Sequence, residues 1–284
     1  MERDSFLSEM LRSRKAMFGA IVVGLIVLSA IFSPWLAPYD PGSQNLLGRL
    51  ARPFTTTADG RYHLFGTDQL GRDIFSRLIY GARVSLLVGS VASLIAGTIG
   101  VSLGLIAGYI GGRIDSAIMR LCDVQLALPY ILIAISVLAV LGSGLINIII
   151  VLSLTQWVTY ARVVRSGALS VKEKEFVLAA KALGFGPVKI MWRYVLPNVF
   201  APVIVIATFS VAQTIVAESA LSFLGLSVPP SVPSWGGMLA DGRTYLVVAW
   251  WLATLPGLAI TLTVIGVNLF GDWLRDYLDP KLQL

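Results

Sequence analysis

The chain has 284 residues, 56% of them hydrophobic and only 13% charged, with a mean hydropathy of +0.79. A soluble domain carries about twice that share of charge, so the composition excludes an ordinary soluble protein and indicates a polytopic, all-α membrane protein. The net charge of +6 does not imply nucleic acid, because cationic loops of membrane proteins face the cytoplasm and meet anionic lipid.

Residues 1–15 are polar and read as a cytoplasmic N-terminal segment carrying Arg3, Arg12, Arg14 and Lys15. Residues 16–39 form an uncharged run of 24, longer than a signal-peptide core, and read as an uncleaved first transmembrane helix that ends near Pro34 and Pro38. Residues 40–83 read as a long extracytoplasmic loop. Its second half begins as a capped turn and continues as an amphipathic helix, with Ile74, Phe75, Leu78 and Ile79 on one side. Such a helix is expected to lie in the membrane interface.

Residues 84–272 read as a five-helix core. Val84–Gly112 is an uncharged run of 29 in which Ala92, Ala96, Gly100, Gly104 and Gly108 recur every four residues. That spacing predicts a packing seam between helices, not a ligand site. Arg120 and Asp123 are placed to pair at a helix end. The next 38 residues are uncharged, roughly 57 Å as one helix and too long for one crossing. Gly142-Ser143-Gly144 divides them into two helices.

A polar interruption follows at 163–193, between predicted helices 4 and 5. Glu175-Phe176-Val177-Leu178-Ala179-Ala180-Lys181-Ala182-Leu183 reads as a short helix with Phe176, Ala179, Ala180 and Leu183 as its apolar stripe. Gly184 is placed to end it, and Gly186-Pro187 to start a second helix. The element reads as a protruding helix-turn-helix with an apolar face offered to a partner. A basic loop lying on the membrane surface would share its charges. Tyr194–Ala217 is a further uncharged run, ended by Glu218. That carboxylate suits a hydrogen bond to a neighbouring helix; the sharper alternative is a group lining a translocation path. Residues 219–248 read as a loop with aromatic anchors, Thr244–Gly271 as the last span, and 273–284 as a cytoplasmic tail.

With the interruption placed inside, 15 Lys/Arg lie on the cytoplasmic side and 7 outside, which predicts six spans with both termini in the cytoplasm. One Cys, one His and no Gly-Lys pair leave no catalytic set, no Cys/His metal cluster and no phosphate-binding loop. The chain is expected to be neither an enzyme nor a cofactor carrier.

Several stretches carry a family resemblance. Ala179-Ala180, Gly184, then Leu196-Pro197 resemble the "EAA" loop of ABC-importer permeases, with Leu178 where that family has Glu and Tyr194 where it has Ile. Gly66-Thr67-Asp68, Gly71-Arg72-Asp73 and Ser76-Arg77 resemble a signature of peptide- and nickel-type permeases of the C-subunit branch. So do Leu221–Leu226 with Pro229-Pro230 and Pro233–Gly236, and the tail Gly271–Pro280. The resemblance implies a permease subunit in the bacterial inner membrane, paired with a homologous permease, two ATP-binding ATPase subunits and an external solute-binding protein. It implies that Glu175, Phe176, Ala179, Ala180, Leu183, Gly184, Gly186 and Pro187 meet the ATPase. Di- or oligopeptides are the expected substrates, with nickel or another small solute as the alternative. A self-sufficient carrier would instead require inverted repeats or several intramembrane charges, and the sequence offers neither.

Overall fold

The computed structural model describes residues 6–226 and 228–278, and shows an all-helical bundle with one small hairpin. In chain order the elements are α1 (Phe6–Arg12), α2 (Arg14–Ile31), α3 (Ser33–Leu36), β1 (Thr55–Thr56), β2 (Tyr62–His63), α4 (Ile74–Ile110), α5 (Gly112–Leu126), α6 (Tyr130–Leu141) and α7 (Leu145–Val171). There follow α8 (Glu175–Ala182), α9 (Pro187–Ile190), a π-helical turn at Met191–Val195, α10 (Leu196–Phe223), α11 (Trp235–Gly242) and α12 (Trp251–Leu278). Among the described residues, five helical stretches are long and apolar enough to cross a membrane: α2, α4, α7, Pro187–Phe223 and α12. α5 and α6, bent by 87° at the break between them, form either a sixth, broken span or a re-entrant pair.

The predicted small-residue seam is the main packing contact. Ala92, Ala96, Gly100, Gly104 and Gly108 are all buried on α4. At Gly100 and Gly104 the backbones approach so closely that a Cβ would collide with the carbonyl oxygens of Trp157 and Ala161 on α7. In hydrocarbon, apolar burial gives helices little reason to associate, so close backbone contact and polar bonds must hold them.

Four sequence expectations are corrected. The first helix stops at Ile31, because Pro34 starts the separate turn α3. The interfacial helix is not a separate element: Asp73 caps α4, which runs unbroken for 37 residues from Ile74. Ile74 and Ile79 face the core, and Arg77 is paired internally, so nothing holds this turn flat on a surface. Asp123 pairs with Arg162 of α7 at 2.6 Å instead of with Arg120. Within the supposed aromatic loop 219–248, α10 continues to Phe223 and α11 forms under a Ser234 cap. Arg3 and the Asp279-Pro280 end of the tail motif lie outside the described residues.

The loop signature proves architectural. Asp73 accepts from Ser76 N at 2.8 Å and Ser76 Oγ at 2.7 Å, and receives His63 Nδ1 at 2.8 Å on its other oxygen. Asp68 accepts from Arg72 Nε at 2.6 Å and lies 3.6 Å from Arg77 Nε. Arg72 reaches on to Pro230 O, and Trp251 Nε1 donates to Thr67 O. A short polar stretch thus ties the loop to the starts of α4 and α12 and to the segment before α11. At the opposite end of the bundle, Phe6 of α1 packs edge-on against Trp273 and Tyr277 of α12, which brings the two described chain ends together.

Candidate functional site

The elbow α8–α9 is built by local rules. Gly184 adopts φ +79°, Phe185 N donates to Ala180 O at 3.1 Å, and Gly184 N donates to Lys181 O at 2.9 Å. This paired reversal closes a helix with a left-handed residue, a backbone that glycine adopts without strain. Gly186 then caps α9, with Pro187 as its first residue. Pro supplies the fixed φ and lacks an N–H that would go unbonded there.

The elbow is anchored from one side. Val177 and Ala180 of α8 and Ile190 of α9 are buried with Leu105 of α4, Val164, Ala168 and Val171 of α7, Val195 at the end of the π turn and Val199 of α10. Phe185 stacks on Tyr194 with centroids 6.0 Å apart, and Lys189 Nζ sits 4.0 Å over the Phe185 ring. Lys181 Nζ lies 5.4 Å over Tyr109 at the end of α4. Two elbow cations are therefore turned toward the chain's own aromatic rings.

The other side is open and apolar. Phe176 is 41% exposed, Leu178 47%, Leu183 75% and Val188 62%; Ala179 is exposed with them. Of the predicted stripe, Phe176, Ala179 and Leu183 share this open face, while Ala180 turns inward beside Val177. Glu175, Gly184, Gly186 and Pro187 are also exposed. Sequence reasoning missed Leu178 and Val188 on this face. The available signal was that Phe176–Ala180 is an unbroken apolar run, which puts apolar side chains on every side of the helix.

Above the elbow, a polar ladder ties α5 to α7. Arg165 holds Asp115, Arg162 holds Asp123, and Gln125 Nε2 donates to the carbonyls of Leu154 at 2.8 Å and Thr155 at 3.0 Å. Gln125 Oε1 accepts from Trp157 Nε1 at 2.8 Å, just before the 87° bend.

Glu218 is fully buried and takes a 2.9 Å hydrogen bond from Ser222 Oγ one turn on. α11 covers this turn, Gly236 packing onto Ser219 and Ser222, so the carboxylate sits inside the fold of the single chain.

The model of binding-protein-dependent transport system inner membrane components matches residues 100–284. The chain belongs to this permease family. A second model, the N-terminal transmembrane domain of oligopeptide transport permease C, matches residues 4–53. The permease is 44% identical over 278 residues to the di/tripeptide transport system permease protein DppC of Pseudomonas aeruginosa (strain UCBPP-PA14), covering 98% of this chain and 92% of that protein. It is 43% identical to the dipeptide transport system permease protein DppC of Bacillus subtilis (strain 168), covering 96% of this chain and 83% of the relative. Among solved structures, the inward-facing MetNI methionine ABC transporter shares the fold, with a TM-score of 0.59 at 17% identity over 72% of the permease and 98% of the matched chain.

Proposed function

We propose that this permease is one half of the membrane channel of an ATP-driven importer of di- and oligopeptides. A homologous permease supplies the other half. Two ATPase subunits bind and hydrolyse ATP, and an external solute-binding protein delivers the peptide. The carrying observation is the elbow: a rigid helix-turn-helix, packed into the bundle on one side, with Phe176, Leu178, Ala179, Leu183 and Val188 left open on the other. A surface of that kind suits a soluble motor that pushes a packed bundle. Leu178, where the family resemblance expects Glu, makes this contact more apolar.

In this reading the elbow, the N-terminal segment and the tail face the cytoplasm, consistent with the excess of Lys/Arg there. Peptide specificity rests on the peptide-transport names of the relatives that cover nearly the whole chain. The test is a cysteine at Leu183 or Ala179, in a Cys122→Ala background, crosslinked in the full complex. Capture of the ATPase with ATP-dependent uptake of labelled dialanine is expected. Labelling of Leu183→Cys from the cell exterior, or uptake of nickel but not dialanine, would overturn the proposal.

A further inference from the structure

A groove of about 470 Å³ opens between α6, α7, α10 and α12. Its polar lining is Tyr130, Thr155, Gln156, Thr159, Gln213 and Asn268; no Asp, Glu, Lys or Arg lines it. Gln156 Nε2 donates to Thr214 Oγ1 at 2.7 Å, while its Oε1 is buried without a partner. Gln213 and Asn268 make no side-chain hydrogen bond among the described residues. All three lie within long apolar helices, where an unsatisfied carboxamide in hydrocarbon costs several kcal/mol. Three such groups from three helices converging on one hollow mark it as a place that meets something polar, not lipid.

The chemistry of the lining narrows what that is. A carboxamide offers a donor and an acceptor in one plane, the same pair that a peptide bond offers. The volume falls within the ~300–1,000 Å³ usual for small-molecule sites. The lining has no imidazole, thiol or carboxylate, the groups a nickel ion selects. We infer that this groove contacts the main chain of the passing peptide, with Gln213 and Asn268 bonding its amide groups irrespective of side chain. This inference rests on the peptide-importer reading above. A neutral lining also gives charged side chains no deep well in which to stall.

The test uses the full complex, with both permeases, ATPases and binding protein, in proteoliposomes. ATP-driven uptake of trialanine, Ala-Lys-Ala and Ala-Glu-Ala is compared for the wild type and for Gln213→Leu combined with Asn268→Leu. Loss of one or two hydrogen bonds is expected to cut uptake of all three peptides about tenfold. Stimulation of ATP hydrolysis by the loaded binding protein should persist, and Gln213→Asn with Asn268→Gln should restore most uptake. Unchanged uptake in the leucine variant would overturn the inference, as would a loss confined to one peptide. So would failure of that variant to co-purify with the second permease, which would make the groove a subunit seam. A wild-type complex that moves none of the peptides would sink the importer reading itself.

Discussion

Arg165 of α7 holds Asp115 of α5 through two parallel hydrogen bonds, Nε–Oδ1 at 2.5 Å and Nη2–Oδ2 at 2.6 Å. α7 ends at the elbow, and α5 leads into the bend beside the groove. The clamp is therefore a rigid link between the two regions. Lysine cannot reproduce a forked contact. Arg165→Lys is expected to cost about 1 kcal/mol of stability, read as a small fall in melting temperature. Uptake should drop further than stability, and exchanging the pair (Asp115→Arg with Arg165→Asp) should recover part of it.

Asp68 faces two arginines whose side chains are almost fully buried. Asp68→Asn leaves Arg72 and Arg77 without their closest counter-charge, a cost of about 3–5 kcal/mol for a buried pair. The expected outcome is a chain that is inserted but whose loop at 40–72 is cut rapidly by protease. Asp59→Asn is the control: its contacts to Asn45, Thr57 and the half-exposed Arg61 are all at the surface, and protease resistance should change little.

Gly104 touches the Ala161 backbone, and any side chain there forces α4 and α7 apart. Gly104→Val is expected to cost about 1–3 kcal/mol or more, seen as aggregation in mild detergent. Gly24→Ala, on the open side of α2, should be neutral, since a Cβ there meets nothing within 4 Å.

At Gly184 a Cβ also meets nothing, so its φ of +79° isolates the backbone effect. Gly184→Ala pushes against the left-handed turn by about 1–2 kcal/mol, whereas Asn tolerates it. ATP-driven uptake is expected to fall several-fold in the alanine variant and to stay near wild type in Gly184→Asn.

What the sequence disclosed follows from which forces are local. Gly184, Gly186 and Pro187 act through their own φ angles, so the elbow was readable without a structure. The seam from Ala92 to Gly108 was readable because its period matches the helix. The partner of Asp123 was not: Arg120 and Arg162 both lie within reach in principle, and only the packing of α5 on α7 decides between them. Nor did a run of uncharged residues reveal the bend between α5 and α6. Gln156, Gln213 and Asn268 sit in separate runs, each unremarkable alone. They gain meaning only when three helices bring them to one hollow.

The bend has a consequence for biosynthesis. The 12 residues of α6 extend about 18 Å, well short of a bilayer's ~30 Å, although the 87° corner keeps its backbone bonded, Ala127 N to Asp123 O at 3.0 Å and Leu132 N to Pro129 O at 3.0 Å. A helix that short has little apolar length to hold it across a bilayer by itself, so α6 is expected to insert only together with α7, which follows after residues 142–144. A chain truncated after Leu141 is therefore expected to leave α6 open to added protease, whereas one truncated after Val171 keeps it protected.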